Sequence, residues 1–230
     1  MSIKPISVLL AEDHAIVREG FRSLLKHESD IEVVGEAETG RQAVAMVKKL
    51  RPAVVVMDIA MPLLNGLEAT RQIRKDVPDT KVVILSAHDD DAYVKQVVGL
   101  GAVGFLLKQT SSDNLARAIR EVYQGKTFFS PAISKRLAGR AGKALDRAGN
   151  VKMKNNHLSS REVEVLQLIA EGKPNKQVAA ELGVSFKTVD KHRQHLMSKL
   201  NIHDIAGLTR YAIAKGMIET KQPMDVEPVT

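Results

Sequence analysis

The stretch Ala53-Val-Val-Val-Met-Asp58-Ile-Ala-Met-Pro62-Leu-Leu-Asn-Gly66 decides the fold of the first half of the chain. Its opening run is apolar without alternation, as in a strand covered on both faces within a parallel sheet. The run then meets an aspartate, and Pro62 and Gly66 lead the backbone out of the strand. Comparable runs stand at Ile6–Leu10, Ile31–Glu36, Lys81–Ser86 and Val103–Leu107, separated by amphipathic helical stretches. Right-handed βα crossovers between such strands predict a doubly wound α/β domain over residues 1–125, a (βα)5 sheet with helices on both faces.

Ligands of such sheets sit beyond the carboxyl ends of the strands, and here each informative end carries polar chemistry. Glu12 and Asp13 follow the first strand, Asp58 follows the third, Ser86 ends the fourth and Lys108 follows the fifth. Three carboxylates in one cleft repel each other, a conflict that a hard divalent cation with oxygen ligands relieves, Mg²⁺ foremost. Asp58, on the central strand, is then placed as a nucleophile toward a phosphoryl group. Lys108 and the Ser86 hydroxyl would meet the phosphoryl oxygens.

Two other motifs have plainer readings. Gly99-Leu-Gly101-Ala-Val-Gly104 spells G-x-G-x-x-G, but it follows a helix and opens a strand, the reverse of a dinucleotide fingerprint. Asp89-Asp-Asp91 reads as the acidic start of a helix, favoured by the macrodipole, rather than as a metal cluster.

With 44% hydrophobic and 27% charged residues the chain has a globular balance. Its longest apolar runs fall short of the roughly 20 residues that cross a bilayer, and Met1-Ser-Ile-Lys-Pro5 lacks a signal-peptide apolar stretch. Zero cysteines exclude disulfides and thiolate metal sites. A cytoplasmic location without a membrane partner is therefore expected. The net charge of +7 is uneven: residues 1–125 hold 16 Lys/Arg against 17 Asp/Glu, and residues 126–230 hold 18 against 10. That asymmetry points the second half toward a polyanion.

Residues 126–156 lose the strand pattern and read as a linker, with a short helix from Ser130-Pro131 to about Ala141. Helical periodicity alone returns over residues 157–217, and residues 218–230 read as a disordered tail. Ser159-Ser-Arg-Glu162 is a capping box opening a helix over Val163–Glu171. Helices at Asn175–Leu182 and Phe186–Leu200, joined at Gly183-Val184, make a helix-turn-helix, and a last helix spans Asp204–Lys215. In Phe186–Leu200 the spacing turns Val189, Leu196 and Leu200 inward. Lys187, Thr188, Asp190, Lys191, His192, Arg193, Gln194 and Lys199 stay outside, a face rich in donors for phosphates and base edges. With 3% aromatics and no Trp, duplex DNA fits better than stacked single strands. Lys191 and Gln194 are the better base readers, and Lys187, Thr188 and Lys199 suit phosphates. Asp190 either accepts from cytosine N4 or pairs with a neighbouring Lys. A protein-binding four-helix module with a solvated basic face is the plainer alternative.

The set Glu12-Asp13, Asp58-Ile-Ala-Met-Pro62 with Gly66, Ser86-Ala87 and Phe105-Leu-Leu-Lys108 resembles the flavodoxin-like receiver domain of two-component response regulators. His157-Leu-Ser-Ser-Arg-Glu162 and Asn175 through Val189, continued by Lys191-His192 and Met197-Ser-Lys-Leu200, resemble the LuxR-type helix-turn-helix, an all-α four-helix domain. Together the chain is similar to the NarL/FixJ family.

The resemblance implies that Asp58 takes a phosphoryl group from a sensor histidine kinase, with Mg²⁺ held by Glu12, Asp13, Asp58 and the Ala60 carbonyl. It implies that Ser86 and Phe105 move together as the switch, although a half-buried strand aromatic is the plainer reading of Phe105. It implies a DNA-binding transcription regulator rather than a metabolic enzyme, one whose chemistry is confined to its own phosphotransfer and dephosphorylation. Phosphorylation would promote homodimers on double-stranded promoter DNA through the last helix, Ile205–Lys215, with RNA polymerase a further candidate partner. Two rivals stay open: a receiver set by protein contacts alone, and a Mg²⁺-dependent phosphohydrolase.

Overall fold

The computed structural model describes residues 4–87, 97–109, 112–129 and 158–218. The first half runs β1 (Ile6–Ala11), α1 (Ala15–Leu25), β2 (Ile31–Ala37), α2 (Gly40–Leu50), β3 (Val54–Asp58), α3 (Gly66–Asp76), β4 (Lys81–Ser86), β5 (Gly104–Leu107), α4 (Ser112–Tyr123) and β6 (Phe128–Phe129). Residues 97–99 are helical as well. The sheet order is β2-β1-β3-β4-β5-β6 and every pair is parallel.

The unbroken apolar run of β3 is explained by burial on both sides. Val55 and Met57 join a cluster with Ala43 and Val47 of α2 and Ile73 of α3. Val54 and Val56 point the other way, to Phe21 and Leu25 of α1 and Leu115 and Ile119 of α4. At roughly 1.5–3 kcal/mol for each large apolar side chain taken out of water, these two layers dominate the domain's stability. The strand order reverses between β1 and β3, and a crevice opens there at the carboxyl ends. Gly101 (φ 77°) ends the helical turn before β5, so the G-x-G-x-x-G lookalike is a turn.

One strand differs from expectation. The linker assignment began at Lys126, yet Phe128–Phe129 pairs with Gly104–Phe105 as β6. Two residues are too short to display a period, and the pairing is reached through Gly125, whose φ of 82° reverses the chain after α4. The readings made for Asp89–Asp91, the helix from Ser130 to Ala141 and the tail after residue 218 lie outside the described residues.

The second half packs α5 (Ser160–Ala170), α6 (Asn175–Leu182), α7 (Phe186–Leu200) and α8 (Ile205–Ala214) around Val165, Leu168, Val178, Val189, Leu196 and Leu208. Each bend has its own device. Ser159 and Glu162 form the capping box, Ser185 accepts from the Thr188 N–H, and Asp204 accepts from the Gly207 N–H. Gly183 turns the chain between α6 and α7 at φ 61°.

The two halves meet through the segment that follows β3. Leu63, in the left-handed region at φ 67°, packs against the apolar cluster of the second half. Gln167 of α5, fully buried, takes both Asn65 N–H (2.8 Å) and Asn65 Nδ2–H (3.0 Å) on its Oε1. Its Nε2 donates to the Met61 carbonyl and to Glu171 Oε1, both at 2.9 Å. Farther out, Arg41 reaches the Glu181 carbonyl (3.1 Å) and Glu164 (3.4 Å), and Gln72 donates to Glu164 (3.0 Å). Nothing in the spacing of these residues announced the contact.

Candidate functional site

Strands β1, β3, β4 and β5 deliver Glu12, Asp13, Asp58, Ser86 and Lys108 to one crevice. Register makes this unavoidable: Asp58 pairs with Leu85, and Ser86 pairs with Leu107, the residue before Lys108. Lys108 N–H donates to the Ser86 carbonyl at 2.8 Å, and Glu12 N–H donates to the Ala37 carbonyl at 2.9 Å. Lys108 Nζ then lies 3.1 Å from Asp58 Oδ1, 3.0 Å from Glu12 Oε1 and 2.9 Å from Glu12 Oε2.

Glu12, Asp58 and Ser86 are buried, whereas Asp13 is partly open. Burial, and after it the Glu12 charge, push the Asp58 carboxyl up to about 7 against the pull of Lys108. Asp13 is raised too, by burial first. Burial alone would lower the Lys108 ammonium, but Asp58 and Glu12 outweigh it and hold it above its ordinary range. One cation thus faces three carboxylates. Asp58 Oδ2 is buried and accepts no hydrogen bond among the described residues. An orphaned carboxylate oxygen beside two more acids is a donor set suited to a hard divalent ion, so the residues fit Mg²⁺.

His14 was not foreseen at this crevice. Its Nδ1 stands 3.1 Å from Glu12 Oε1 and 2.9 Å from Asp13 Oδ1, at the exposed rim. It adjoins the acidic pair in sequence, which was the available signal. Phe105 is fully buried on β5, among the apolar side chains of the α2–α3 face of the sheet, rather than half-buried.

Glycines fix the backbone around Asp58. A Cβ on Gly66 would stand 1.8 Å from the Asp58 carbonyl oxygen, and one on Gly40 would stand 2.1 Å from the Leu64 carbonyl oxygen. The segment from Asp58 to Gly66 is therefore pressed between β3 and the start of α2, with Gly40 N–H donating to Leu64 O at 3.1 Å.

In the second half, Ser185, Lys187, Thr188, Lys191, His192 and His195 line an open surface groove along α7. Lys187 and Lys191 are exposed, Thr188 and His192 half-buried, while Val189 and Leu196 are buried as their spacing required. His195 belongs to this face and had been overlooked. Among the described residues no hydrogen bond or ion pair joins α7 to the first half. Asp190 is not paired with a lysine: its Oδ2 accepts from Gln194 Nε2 at 3.0 Å. Arg193 donates to Asn175 across the turn at 3.3 Å.

Lys199 stays outside as expected, but its ammonium is already engaged. Its ammonium lies 2.7 Å from Glu162 Oε2, where it braces the capping box. Burial would raise the Glu162 carboxyl, but Lys199 and the Ser159 N–H together hold it below its ordinary range. A carboxyl lowered by folding stabilises above its unfolded value and loses that contribution as pH falls through the folded one. Glu162→Gln is expected to destabilise this half by about 1 kcal/mol at pH 7, a loss of cap size, and by less as pH falls toward 4. Urea unfolding at the two pH values measures it.

Comparison with known proteins agrees with both halves. Residues 8–120 match the response regulator receiver domain, and residues 156–212 match the luxR family of bacterial regulatory proteins. The oxygen regulatory protein NreC of Staphylococcus epidermidis is 38% identical over 217 residues, spanning 93% of this chain and 100% of its own length. NreC of Staphylococcus carnosus is likewise 38% identical over 219 residues, with 93% and 100% covered. Among solved structures, RcsB of Salmonella typhimurium superposes at a TM-score of 0.60 with 26% identity, covering 92% of this chain and 98% of that one. An RcsB–DNA complex superposes at 0.56 with 27% identity, covering 92% and 99%.

Proposed function

Because the chain belongs to the two-component response regulators of the NarL type, DNA-binding transcription regulators with a receiver and a LuxR-type helix-turn-helix, we propose that Asp58 is its phosphoacceptor. The observation that carries this is the convergence of Asp58 with Glu12, Asp13, Ser86 and Lys108 at the strand switch point. A histidine kinase's phosphohistidine is the donor. An Asp58 carboxylate oxygen forms the new O–P bond while the N–P bond breaks and the imidazole leaves with the electron pair. Lys108 holds the phosphoryl oxygens by charge, and the Ser86 hydroxyl donates to them. Glu12, Asp13, Asp58 and the Ala60 carbonyl would hold Mg²⁺, which when bound supplies charge neutralisation on the phosphoryl oxygens. Burial of the pocket keeps water from the aspartyl phosphate.

Phosphorylation shifts the chain toward a state that pairs as a homodimer and holds promoter DNA. A receiver that runs through β6 at Phe129 and a DNA-binding domain over 157–217 serve this reading, as does a cytoplasmic site of action. Lys191 and Gln194 read bases, with Gln194 oriented by Asp190, while Lys187, Thr188 and His192 meet the backbone. Near the end of α8, Tyr211 and the following Lys215 line a cleft of about 400 Å³ with Arg71 and Leu100, while Ile205 at its start is exposed and suits a dimer contact. The test is binding to genomic duplex fragments with and without acetyl phosphate. Tighter binding on phosphorylation is expected, and equal binding in both states would overturn the reading.

Two lysines separate positioning from reading. Lys187→Ala is expected to weaken all duplexes alike and to reduce the slope of log affinity against log salt by about 0.9. Lys191→Ala is expected to lose about 1–3 kcal/mol of discrimination between operator and scrambled duplex. Fluorescence anisotropy across a salt series reads both.

A further inference from the structure

The loop between Asp58 and α3 is held only in part by its own hydrogen bonds. Internal hydrogen bonds join Met61 N–H to Ile59 O (3.2 Å), Leu64 N–H to Pro62 O (2.8 Å) and Gly66 N–H to Ile59 O (2.8 Å). The Met61 carbonyl and the N–H groups of Leu63 and Asn65 are instead met by side chains of α5. Gln167 takes the first and third, and Glu171 Oε1 accepts from Leu63 N–H at 3.0 Å. With two acceptances on Oε1 and two donations from Nε2, the Gln167 amide is fully used, which fixes its orientation. Leu63 is held at a positive φ that a non-glycine residue adopts only at a cost, and its side chain is anchored in the other domain.

We propose that Gln167, seconded by Glu171 one turn later, is a positioning residue of the phosphorylation site, contributed by the DNA-binding domain. It acts on the loop, and the loop carries the Ala60 carbonyl three residues before Leu63. With the clamp made, that carbonyl is ordered before a cation arrives. With the clamp broken, two buried backbone groups and a part-buried third must find water, Leu63 relaxes, and cation binding has to order the loop itself. The coupling is reciprocal: a cation bound at the acidic pocket tightens the hold of the DNA-binding domain on the receiver.

The inference rests on the phosphoacceptor reading above and is tested apart from it. Gln167→Glu keeps the size and the acceptor toward Asn65 but turns a carboxylate on the Met61 carbonyl and Glu171. In full-length protein, calorimetric titration with MgCl₂ is expected to show affinity about fivefold weaker than wild type. Acetyl phosphate labelling should need correspondingly more Mg²⁺ for half its maximal rate, with that maximal rate within twofold. Exchange of the Leu63 and Asn65 amides should quicken. Unchanged affinity in a folded Gln167→Glu protein overturns the proposal, and so does tighter binding.

Should that variant not fold, the more exposed Glu171→Ala decides. A loss of about two- to threefold in Mg²⁺ affinity supports the clamp, and none overturns it. Wild-type protein that neither binds Mg²⁺ nor labels would strike down the phosphoacceptor reading instead.

Discussion

Asp58→Asn is expected to take up no phosphoryl group from acetyl phosphate, a loss of at least about a hundredfold, because an amide oxygen is far less nucleophilic than a carboxylate and the new bond has no other acceptor placed for it. Glu12 is as buried as Asp58, but Lys108 Nζ stands 3.0 and 2.9 Å from its two oxygens, a closer neutralisation than the 3.1 Å to Asp58 Oδ1. The variant should fold well. It removes a buried acid whose folded pKa of about 7 lies far above the ordinary 3.8. A carboxyl raised by folding contributes stability below its unfolded value and loses it as pH climbs through the folded one. Without divalent ions the thermal midpoint of Asp58→Asn should therefore exceed wild type at pH 8 and match it near pH 4. Phosphate-affinity gels and thermal melts give the two readouts, and persistent labelling of the variant would move the acceptor elsewhere.

Gly66→Ala should be the most damaging single methyl addition near the site. Helix propensity would favour alanine by about 0.5–1 kcal/mol at this first position of α3. Against that stands a Cβ driven to 1.8 Å from the Asp58 carbonyl oxygen, with backbone rather than a yielding side chain on the other side. Overlap of that kind costs about 3 kcal/mol or more, so sterics win. Gly20 is the matched control, since a Cβ there in α1 meets nothing within 4 Å. Gly20→Ala should stabilise by about 0.5–1 kcal/mol. Urea titration of the three proteins separates the outcomes, and an unharmed Gly66→Ala would mean that the loop yields more than its contacts imply.

Most of what places the site could be read from the chain. β3 was legible because both its faces are buried, which erases alternation, and because Asp58 ends it sharply. The helix starts at Ser159 and Ser185 were legible because a hydroxyl three residues before an orphan N–H is a local chemical signal. Asn65 caps α3, its Oδ1 accepting from the Glu68 N–H at 2.9 Å, and this cap went unremarked, as did the place of Gln167 beside it. A contact between residues about a hundred apart leaves no periodic trace, and a glutamine inside an amphipathic helix looks like any other polar position. Phe128–Phe129 was missed because a two-residue strand has no period. The Lys199–Glu162 ion pair was not legible, because charge and exposure are shared by a phosphate contact and an intradomain ion pair. Only the position of Glu162 decides between them.

The open flank of α7 bears on how such a regulator finds its operator. With Lys187 and Lys191 exposed while the domains are engaged, electrostatic attraction to duplex backbone would need no prior signal, and weak sequence-blind sliding would proceed continuously. Information from the kinase would then govern dwell time at the correct address rather than admission to the chromosome, and single-molecule residence times would lengthen after phosphorylation while arrival rates stay constant.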